Sequence, residues 1–313
     1  MNGCCVIGGG GFIGRHVVAA LVERGRRVTV IGRTATPMPP FPASVRYVRG
    51  DYGDRTFLDG ALKGVAEVID LAYATVPKTS YDDPVFDILS NLPPKVGVFE
   101  AAVSLRIRTL VVVSSGGVVY GTADRLPVTE AHSTNPISPY GISKLAIEKY
   151  ALLYHHSRGL PAVIVRPGNA YGEGQRPFAE QGFIATAMAA ILSGRAVTVF
   201  GETGTVRDYV HVEDVARGIL AALDAGLAGE CYNIGTGVGM SNRDLLDVIM
   251  PLARASGFEP MIVTRPARPF DVPASVLDAG KLRERTGWAP SIPIRDGLER
   301  TWRWQCDANG RAQ

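Results

Sequence analysis

Cys4-Cys5-Val6-Ile7-Gly8-Gly9-Gly10-Gly11-Phe12-Ile13-Gly14 is the stretch on which the fold turns. A short apolar run stops in a cluster of glycines, and Phe12, Ile13, Val17, Ala20 and Leu21 then recur at helical spacing until Gly25, predicting a strand over 4–7 and a helix over 12–24. The spacing Gly8-x-x-Gly11-x-x-Gly14 puts missing side chains at the joint between the two. Backbone can approach a pyrophosphate there, and the helix's free N–H groups and positive dipole end can hold it. A glycine cluster alone is ordinary turn punctuation; set between a strand and a helix, it predicts a dinucleotide site.

Outward from that turn, β-branched runs at 27–31, 45–49, 67–71, 109–114 and 162–166 alternate with helical patterns. Such alternation predicts a doubly wound α/β fold, a parallel sheet covered by helices on both faces. Pro37-Met38-Pro39-Pro40-Phe41-Pro42 cannot continue a regular element and reads as a stiff loop. Past Arg166, glycines at 172, 174 and 182 and Pro177 mark loops before a helical stretch at 183–192. The expected division is a dinucleotide-binding domain over 1–168 and a smaller α/β substrate domain over 169–313. Segments near 207–235 return to the first domain through a helix at 214–223 and a strand at 231–233.

Composition narrows the function classes. The 313 residues carry a net charge of +3, with 46% hydrophobic and 20% charged residues, which excludes a disordered or fibrous chain. Charges of both signs are mixed throughout, so there is no basic stripe for nucleic acid. No apolar run approaches the roughly 18 residues of a membrane span, and the expected location is cytoplasmic, without membrane insertion. Cys4, Cys5, Cys231 and Cys306 form no Cys-x-x-Cys pair and read as packing residues. His16, His132, His155, His156 and His211 are scattered without acid partners at ligand spacing, so no metal is expected.

The second strand ends Val30-Ile31-Gly32-Arg33-Thr34, without the acid that would bind the ribose hydroxyls of NAD and with a cation that could meet the 2′-phosphate of NADP. Either dinucleotide is therefore permitted, since Arg33 could also stack on adenine or be a solvated loop residue. Asp51, in Gly50-Asp51-Tyr52, could accept from the adenine amino group. Farther on, Ser138-Pro139 looks like an N-cap with proline at the first helical position, which places Tyr140 and Lys144 on one face of the opening turns. An ammonium beside the phenol, with a nicotinamide's positive charge nearby, would lower the tyrosine pKa and let Tyr140 take a proton from a sugar hydroxyl.

With these residues in place the chain resembles the extended short-chain dehydrogenase/reductases, in particular the nucleotide-sugar epimerase/dehydratase family similar to UDP-glucose 4-epimerase. The resemblance runs through Gly8 to Gly14, Leu71-Ala72, Ser114-Ser115 to Tyr120-Gly121, Tyr140-Gly141-Ile142-Ser143-Lys144, Arg166-Pro167-Gly168-Asn169, Arg207-Asp208-Tyr209-Val210-His211, Tyr232-Asn233 and Gly287-Trp288-Ala289-Pro290. It implies a dinucleotide along Gly8, Gly11, Phe12, Ile13, Gly14, Arg33, Asp51, Tyr52, Leu71, Ala72, Tyr73, Ser114, Tyr140, Lys144 and Pro167. It implies a nucleotide-sugar substrate whose diphosphate is held by Asn169, Arg207 and Arg268; internal salt bridging, Arg207 with Asp208 or Arg268 with Asp271, is the alternative for the arginines. Counting on from Arg268 and Asp271, it puts Ser275 beside the sugar C2 substituent, leaving room for N-acetylated sugars. A homodimer through helices near 95–104 and 140–156, and a part in polysaccharide biosynthesis, come with it.

Three departures matter. The family's catalytic Ser or Thr falls on Gly116, so Ser114 and Ser115 are the nearest hydroxyls, with Ser114 sharing the strand face of position 116 by two-residue alternation. Pro93-Pro94 predicts that the following helix begins there or later. Gly117 and Val118 stand where a sugar 4,6-dehydratase would need acidic chemistry. The leading reading is an NAD- or NADP-dependent 4-epimerase that oxidises C4 transiently. A 4-keto-sugar reductase is the runner-up, and a catalytically silent dinucleotide sensor or scaffold, motivated by Gly116, is the reading from another class.

Overall fold

In the computed structural model, residues 3–37, 39–178, 182–268, 272–308 and 310 are described; Met1, Met38 and Asp271 lie outside them. β1 (Gly3–Ile7) enters the glycine turn and α1 (Phe12–Glu23) leaves it. The chain continues through β2 (Arg27–Gly32), β3 (Val45–Arg49), α2 (Arg55–Ala61), β4 (Glu67–Asp70), α3 (Pro77–Asp82) and α4 (Pro84–Ser104). Next come β5 (Thr109–Val113), α5 (Gly116–Val119), α6 (Pro139–Arg158) and β6 (Ala162–Pro167). Each predicted strand is present, its ends shifted by one residue at most.

These strands and β10 (Cys231–Ile234) form one seven-stranded sheet in the order β10-β6-β5-β4-β1-β2-β3. Every pairing in it is parallel. Its inner strands are buried along their length because helices cover both faces, while the edge strand β3 exposes Arg46 and Arg49. Val17, Val18 and Leu21 of α1 pack on one face; Leu58 of α2, Val98, Phe99 and Ala102 of α4 and Ile147 and Ala151 of α6 pack on the other. Strand order reverses between β1 and β4, which is where a doubly wound sheet opens a crevice at its carboxyl edge.

The remaining elements are β7 (Asn169–Tyr171), α7 (Phe183–Leu192), β8 (Val197–Phe200), β9 (Val206–His211), α8 (Val212–Ala225), β10 (Cys231–Ile234), β11 (Gly239–Ser241) and α9 (Asn242–Ala255). β12 (Ile262–Arg265), β13 (Ala274–Ser275), α10 (Gly280–Thr286) and α11 (Ile294–Ala308) complete the chain. α8 packs on α1, and β10 extends the large sheet beside β6. β9 does not return: it joins β7, β11 and β13 in a second sheet. A separate apolar core there collects Met188 of α7, Leu246 of α9 and Trp302 of α11.

Two readings are corrected. Pro93 and Pro94 do not start a helix; they lie inside the 21-residue α4. Each removes one N–H donor, but the carbonyls left over belong to Leu89 and Ser90, on the solvent side, while Asn91, Lys95, Val98 and Phe99 hold the other face in the core. Position 116 is not on a strand face, because β5 ends at Val113 and Gly116 opens α5. Two-residue alternation therefore says nothing about Ser114 and Gly116.

Candidate active site

The crevice above the β1–β4 reversal is a cleft of about 770 Å³. Gly8, Gly11, Phe12, Ile13, Gly14, Leu71, Tyr73, Ser114, Ser115, Tyr140, Lys144, Pro167, Asn169, Arg207 and Arg268 all line it. The glycine requirement at its floor is steric. Gly8 has φ +79°, and a Cβ there would sit 2.9 Å from the Ala72 nitrogen; one on Gly14 would sit 2.5 Å from the Gly8 carbonyl oxygen. Gly11 caps α1 without a side chain, so the first turn's N–H groups face the cleft uncovered. A cradle this close to bare backbone fits a dinucleotide pyrophosphate.

Arg33, Asp51, Tyr52 and Ala72 are not on the cleft wall. Ala72 lies beneath Gly8, its N–H bonded to Asp70 Oδ1 at 3.2 Å. Arg33, Asp51 and Tyr52 follow the ends of β2 and β3, the outer strands beyond β1. Gly32 has a physical cause: a Cβ would lie 2.5 Å from the Tyr47 hydroxyl, which bonds the Thr34 carbonyl at 2.8 Å. The Tyr47 ring, stacked on Phe41 from the proline-rich loop, crowds the position that a side chain at Gly32 would take.

Ser138 caps α6 as expected, accepting from the Gly141 N–H at 3.1 Å, with Pro139 in the first turn. Tyr140 and Lys144 are both buried, and the Lys144 ammonium lies 5.6 Å from the Tyr140 ring centre. That ammonium donates to the Val113 carbonyl at 3.1 Å and sits 4.1 Å over the Tyr73 ring, which meets Tyr140 edge-on. In the resting protein the Tyr140 pKa is raised, not lowered, by burial and then by the Asp87 carboxylate. Lys144 is pushed down to about 7, by burial and then by the charge of Lys95.

Below these two lies a polar floor absent from the sequence reading. Asp87, fully buried on α4, accepts from Ser143 at 2.5 Å, from Tyr73 at 3.4 Å and from Thr75. Asn91 donates to the Asp87 backbone carbonyl at 2.8 Å and accepts from the Ala74 N–H at 2.7 Å. Beside this network, Lys95 and Asp70 form a buried ion pair of 2.5 Å. A lone Asp and Lys at core-facing positions of α4 were the signal that could have revealed it.

Gly116 is not a gap in the wall. A Cβ there would strike Leu277 at 2.4 Å, away from the cleft, whereas Ser114, Ser115 and Gly117 line it. The Ser114 hydroxyl is buried without a hydrogen-bond partner. Ser275 also lies behind the wall, on β13, its hydroxyl 3.5 Å from the Gly116 carbonyl; the cleft is lined nearby by Arg207, Arg268 and Val272 instead. Arg207 does not turn to Asp208, whose carboxylate accepts from Thr236, Gly237 and Leu277. The Arg268 guanidinium stacks 3.9 Å over Phe200.

His211 departs from the histidine reading, since its Nε2 is 3.0 Å from Glu173 and Glu213 is near enough for all three to offer ligand atoms within 4.8 Å. Arg300 already bonds both carboxylates. Burial opposes ionisation of Glu173, but the His211 bond and Arg300 outweigh it and lower its pKa to about 2. The group reads as an ion-pair clamp.

A doubly wound parallel sheet, a glycine turn at its reversal and a Tyr-x-x-x-Lys helix on the same cleft define a protein built as an extended short-chain dehydrogenase/reductase. Residues 4–235 match the NAD dependent epimerase/dehydratase family, and the chain belongs to it. It is 35% identical to the UDP-glucose 4-epimerase of Thermus thermophilus, solved as a complex with NAD, with 96% of this chain and 97% of that one covered and a TM-score of 0.88. The UDP-glucose 4-epimerase of Thermotoga maritima, solved with UDP-glucose, is 30% identical over 98% of this chain and 99% of that one, with a TM-score of 0.92. A dTDP-glucose 4,6-dehydratase of an Actinoplanes species is 30% identical over 96% of both chains.

Proposed function

We propose that the protein is a nucleotide-sugar 4-epimerase, of UDP-hexose or UDP-N-acetylhexosamine type, acting by transient oxidation at C4. The observation that supports this most is a single cleft that combines the glycine cradle, Tyr140 with Lys144, and two arginines from the smaller unit. Gly8, Gly11, Gly14, Leu71, Tyr73 and Pro167 would hold a nicotinamide dinucleotide, which when bound would supply the hydride acceptor for C4 and, once the 4-keto sugar has turned over in the cleft, the donor to its opposite face. Tyr140 takes the proton of the C4 hydroxyl and later gives it back. Lys144 as an ammonium favours the phenolate, and Ser114 or Ser115 bonds the reacting oxygen. Arg207 and Arg268, with Asn169, grip the diphosphate in forked bonds, and Phe200 steadies Arg268 from behind.

The Gly117 and Val118 positions favour epimerase over dehydratase. A silent sensor loses its motive, since Gly116 faces Leu277 and two serines line the cleft. The 4-keto reductase keeps one supporting observation: Gly32 stands where an acid would select NAD, with the Tyr47 hydroxyl crowding that position, and exposed Arg33 follows it, an arrangement compatible with NADP as well as NAD. We divide the chain near residue 168, with α8 and β10 belonging to the first part. Val85, Phe86 and Leu89 on α4 and Ile142 and Leu153 on α6 are exposed on neighbouring helices and support a homodimer through that face. Among the described residues no helix is long and apolar enough to cross a membrane. Four free thiols suit the cytoplasm. A panel of UDP-, dTDP- and GDP-sugars, incubated without added cofactor and followed by NMR at C4, tests the reading. Inversion at C4 is the expected result. Stoichiometric oxidation of added NADPH by a 4-keto sugar, with no epimer interconversion, overturns it in favour of the reductase, and the dinucleotide released on denaturation distinguishes NAD from NADP.

A further inference from the structure

Lys95 and Asp70 make an ion pair that stability alone does not explain. Their side chains are 3% and 0% exposed, and an apolar pair of similar volume in such a place is often as stable or more so. Asp70 is also left incompletely bonded: Oδ1 takes the Lys95 ammonium and the Ala72 N–H, while Oδ2 is buried with no hydrogen-bond partner. Lys95 follows directly on the two prolines of α4, so the helix carries a desolvated cation where its backbone bonding is already thinned.

The position of the pair is what stands out. Asp70 closes β4 in register with Val112 of β5, and the next residue, Val113, gives its carbonyl to the Lys144 ammonium. Neighbouring strands lie about 4.8 Å apart, so Asp70, which holds Lys95, and the Val113 carbonyl, which holds Lys144, stand on adjacent strand ends, and both ammoniums are buried. The other charged groups near Lys144, Glu148 and Asp87, are acids that favour its ammonium, and they rank behind Lys95 and Asp70. Glu148 of α6 bonds Arg166 of β6 at 2.5 Å, and Asp87 of α4 is taken by Ser143, Tyr73 and Thr75. Lys78, Tyr81 and Asp82 of α3 line the open cleft, and α5 has no titratable side chain. Tyr73 and Tyr140 present rings to the ammonium.

We propose that Lys95 and Asp70 are positioning residues for Lys144: Lys95 repels its charge from beneath, Asp70 offsets that repulsion, and together they set the protonation of Lys144 beside Tyr140. This rests on the role proposed above for Lys144. Two like charges in a low-dielectric layer disfavour each other's ionised form, in line with Lys95 being the leading charge that acts on Lys144. Lys144 then carries its proton below neutrality and loses it as pH rises through neutrality.

The test is ¹³Cε lysine NMR of the whole protein across pH, Lys144 being assigned through Lys144→Met. Lys95→Met removes the repulsion and should raise the Lys144 midpoint by about one pH unit. Lys95→Met with Asp70→Asn removes both charges and should raise it less. If the single variant does not fold, the neutral pair decides alone by the direction of its shift. An unchanged or lowered midpoint in a folded variant overturns the proposal. The alkaline limb of turnover should move upward with the midpoint. A shifted midpoint in a protein that inverts no nucleotide sugar leaves this proposal standing and sinks the epimerase reading; inversion with an unmoved midpoint does the reverse.

Discussion

At the glycine turn the cleft is shaped by what is missing, whereas beneath Lys144 it is shaped by what has been added. Gly8 and Gly14 leave no room for a Cβ, and bare backbone forms the surface. A few residues below Tyr140, α4 puts Asp87, Asn91 and Lys95 into the core, where each must find partners. The turn offers backbone N–H groups, which every residue but proline possesses. The floor works through particular side chains, so it can set charge and proton affinity, which the turn cannot.

Tyr140→Phe marks the boundary between the two and should have the largest effect. It deletes the hydroxyl above the floor and keeps the ring against Tyr73 and the backbone bond to Ser80. Turnover should fall by at least about 10²-fold, while dinucleotide binding and melting temperature stay close to wild type. Near-normal turnover would remove Tyr140 from the chemistry.

Gly14→Ala attacks the turn by adding a single carbon, which would lie 2.5 Å from the Gly8 carbonyl. Backbone cannot yield cheaply there, so a loss of about 1–3 kcal/mol is expected, along with loss of bound dinucleotide. Gly10→Ala is the internal control, since a Cβ at exposed Gly10 meets nothing within 4 Å. Its effect should stay within about 0.5 kcal/mol. Equal losses from the two, read by thermal melting and by cofactor content, would mean that steric closeness is not what the glycines provide.

These two regions also differ in how far the sequence discloses them. The turn is visible because its constraint is local: strand, glycines and helix follow one another directly along the chain. Tyr140 and Lys144 are visible for the same reason, on one helix behind an N-cap. The floor joins residues 70, 75, 87, 91, 95 and 143, and only the sheet and helix packing brings them together. Gly116 misled because chain spacing was extended past the end of β5, and Pro93-Pro94 because the solvent side of α4 tolerates bare carbonyls that a buried side would not. His211 needed β7 and β9 side by side to meet Glu173.

Asp87→Asn sharpens the contrast from the floor's side. The amide keeps the shape but replaces one accepting oxygen with a donor, so either Ser143, at Oδ2, or both Tyr73 and Thr75, at Oδ1, lose their acceptor. Urea unfolding should show a loss of about 1–3 kcal/mol. The same change removes the negative charge that helps hold Tyr140 protonated, so the phenol should titrate at lower pH. A stable variant with an unmoved phenol would reduce the floor to packing.

Ser275→Ala should have the smallest effect. Read along the chain, Ser275 belongs beside the sugar's C2 substituent and would govern acceptance of N-acetylated sugars. In the fold it is buried on β13, opposite Arg207 in register, with its hydroxyl toward the Gly116 carbonyl at the outer limit of a hydrogen bond. Gly116 itself turns its missing side chain toward Leu277, so Ser275 and Gly116 together form a layer behind the cleft surface. Removing the hydroxyl should cost less than about 1 kcal/mol and leave the ratio of N-acetylhexosamine to hexose turnover within about twofold of wild type. Gly117 is the better place for such control, since it does line the cleft and a Cβ there would come 3.2 Å from the Asn169 side-chain oxygen. A selective change in Ser275→Ala for one sugar type would show that the wall moves on binding and that the positional reading was right after all. An unchanged ratio there, with a shifted one in Gly117→Ala, would place sugar selectivity on the second of the paired glycines.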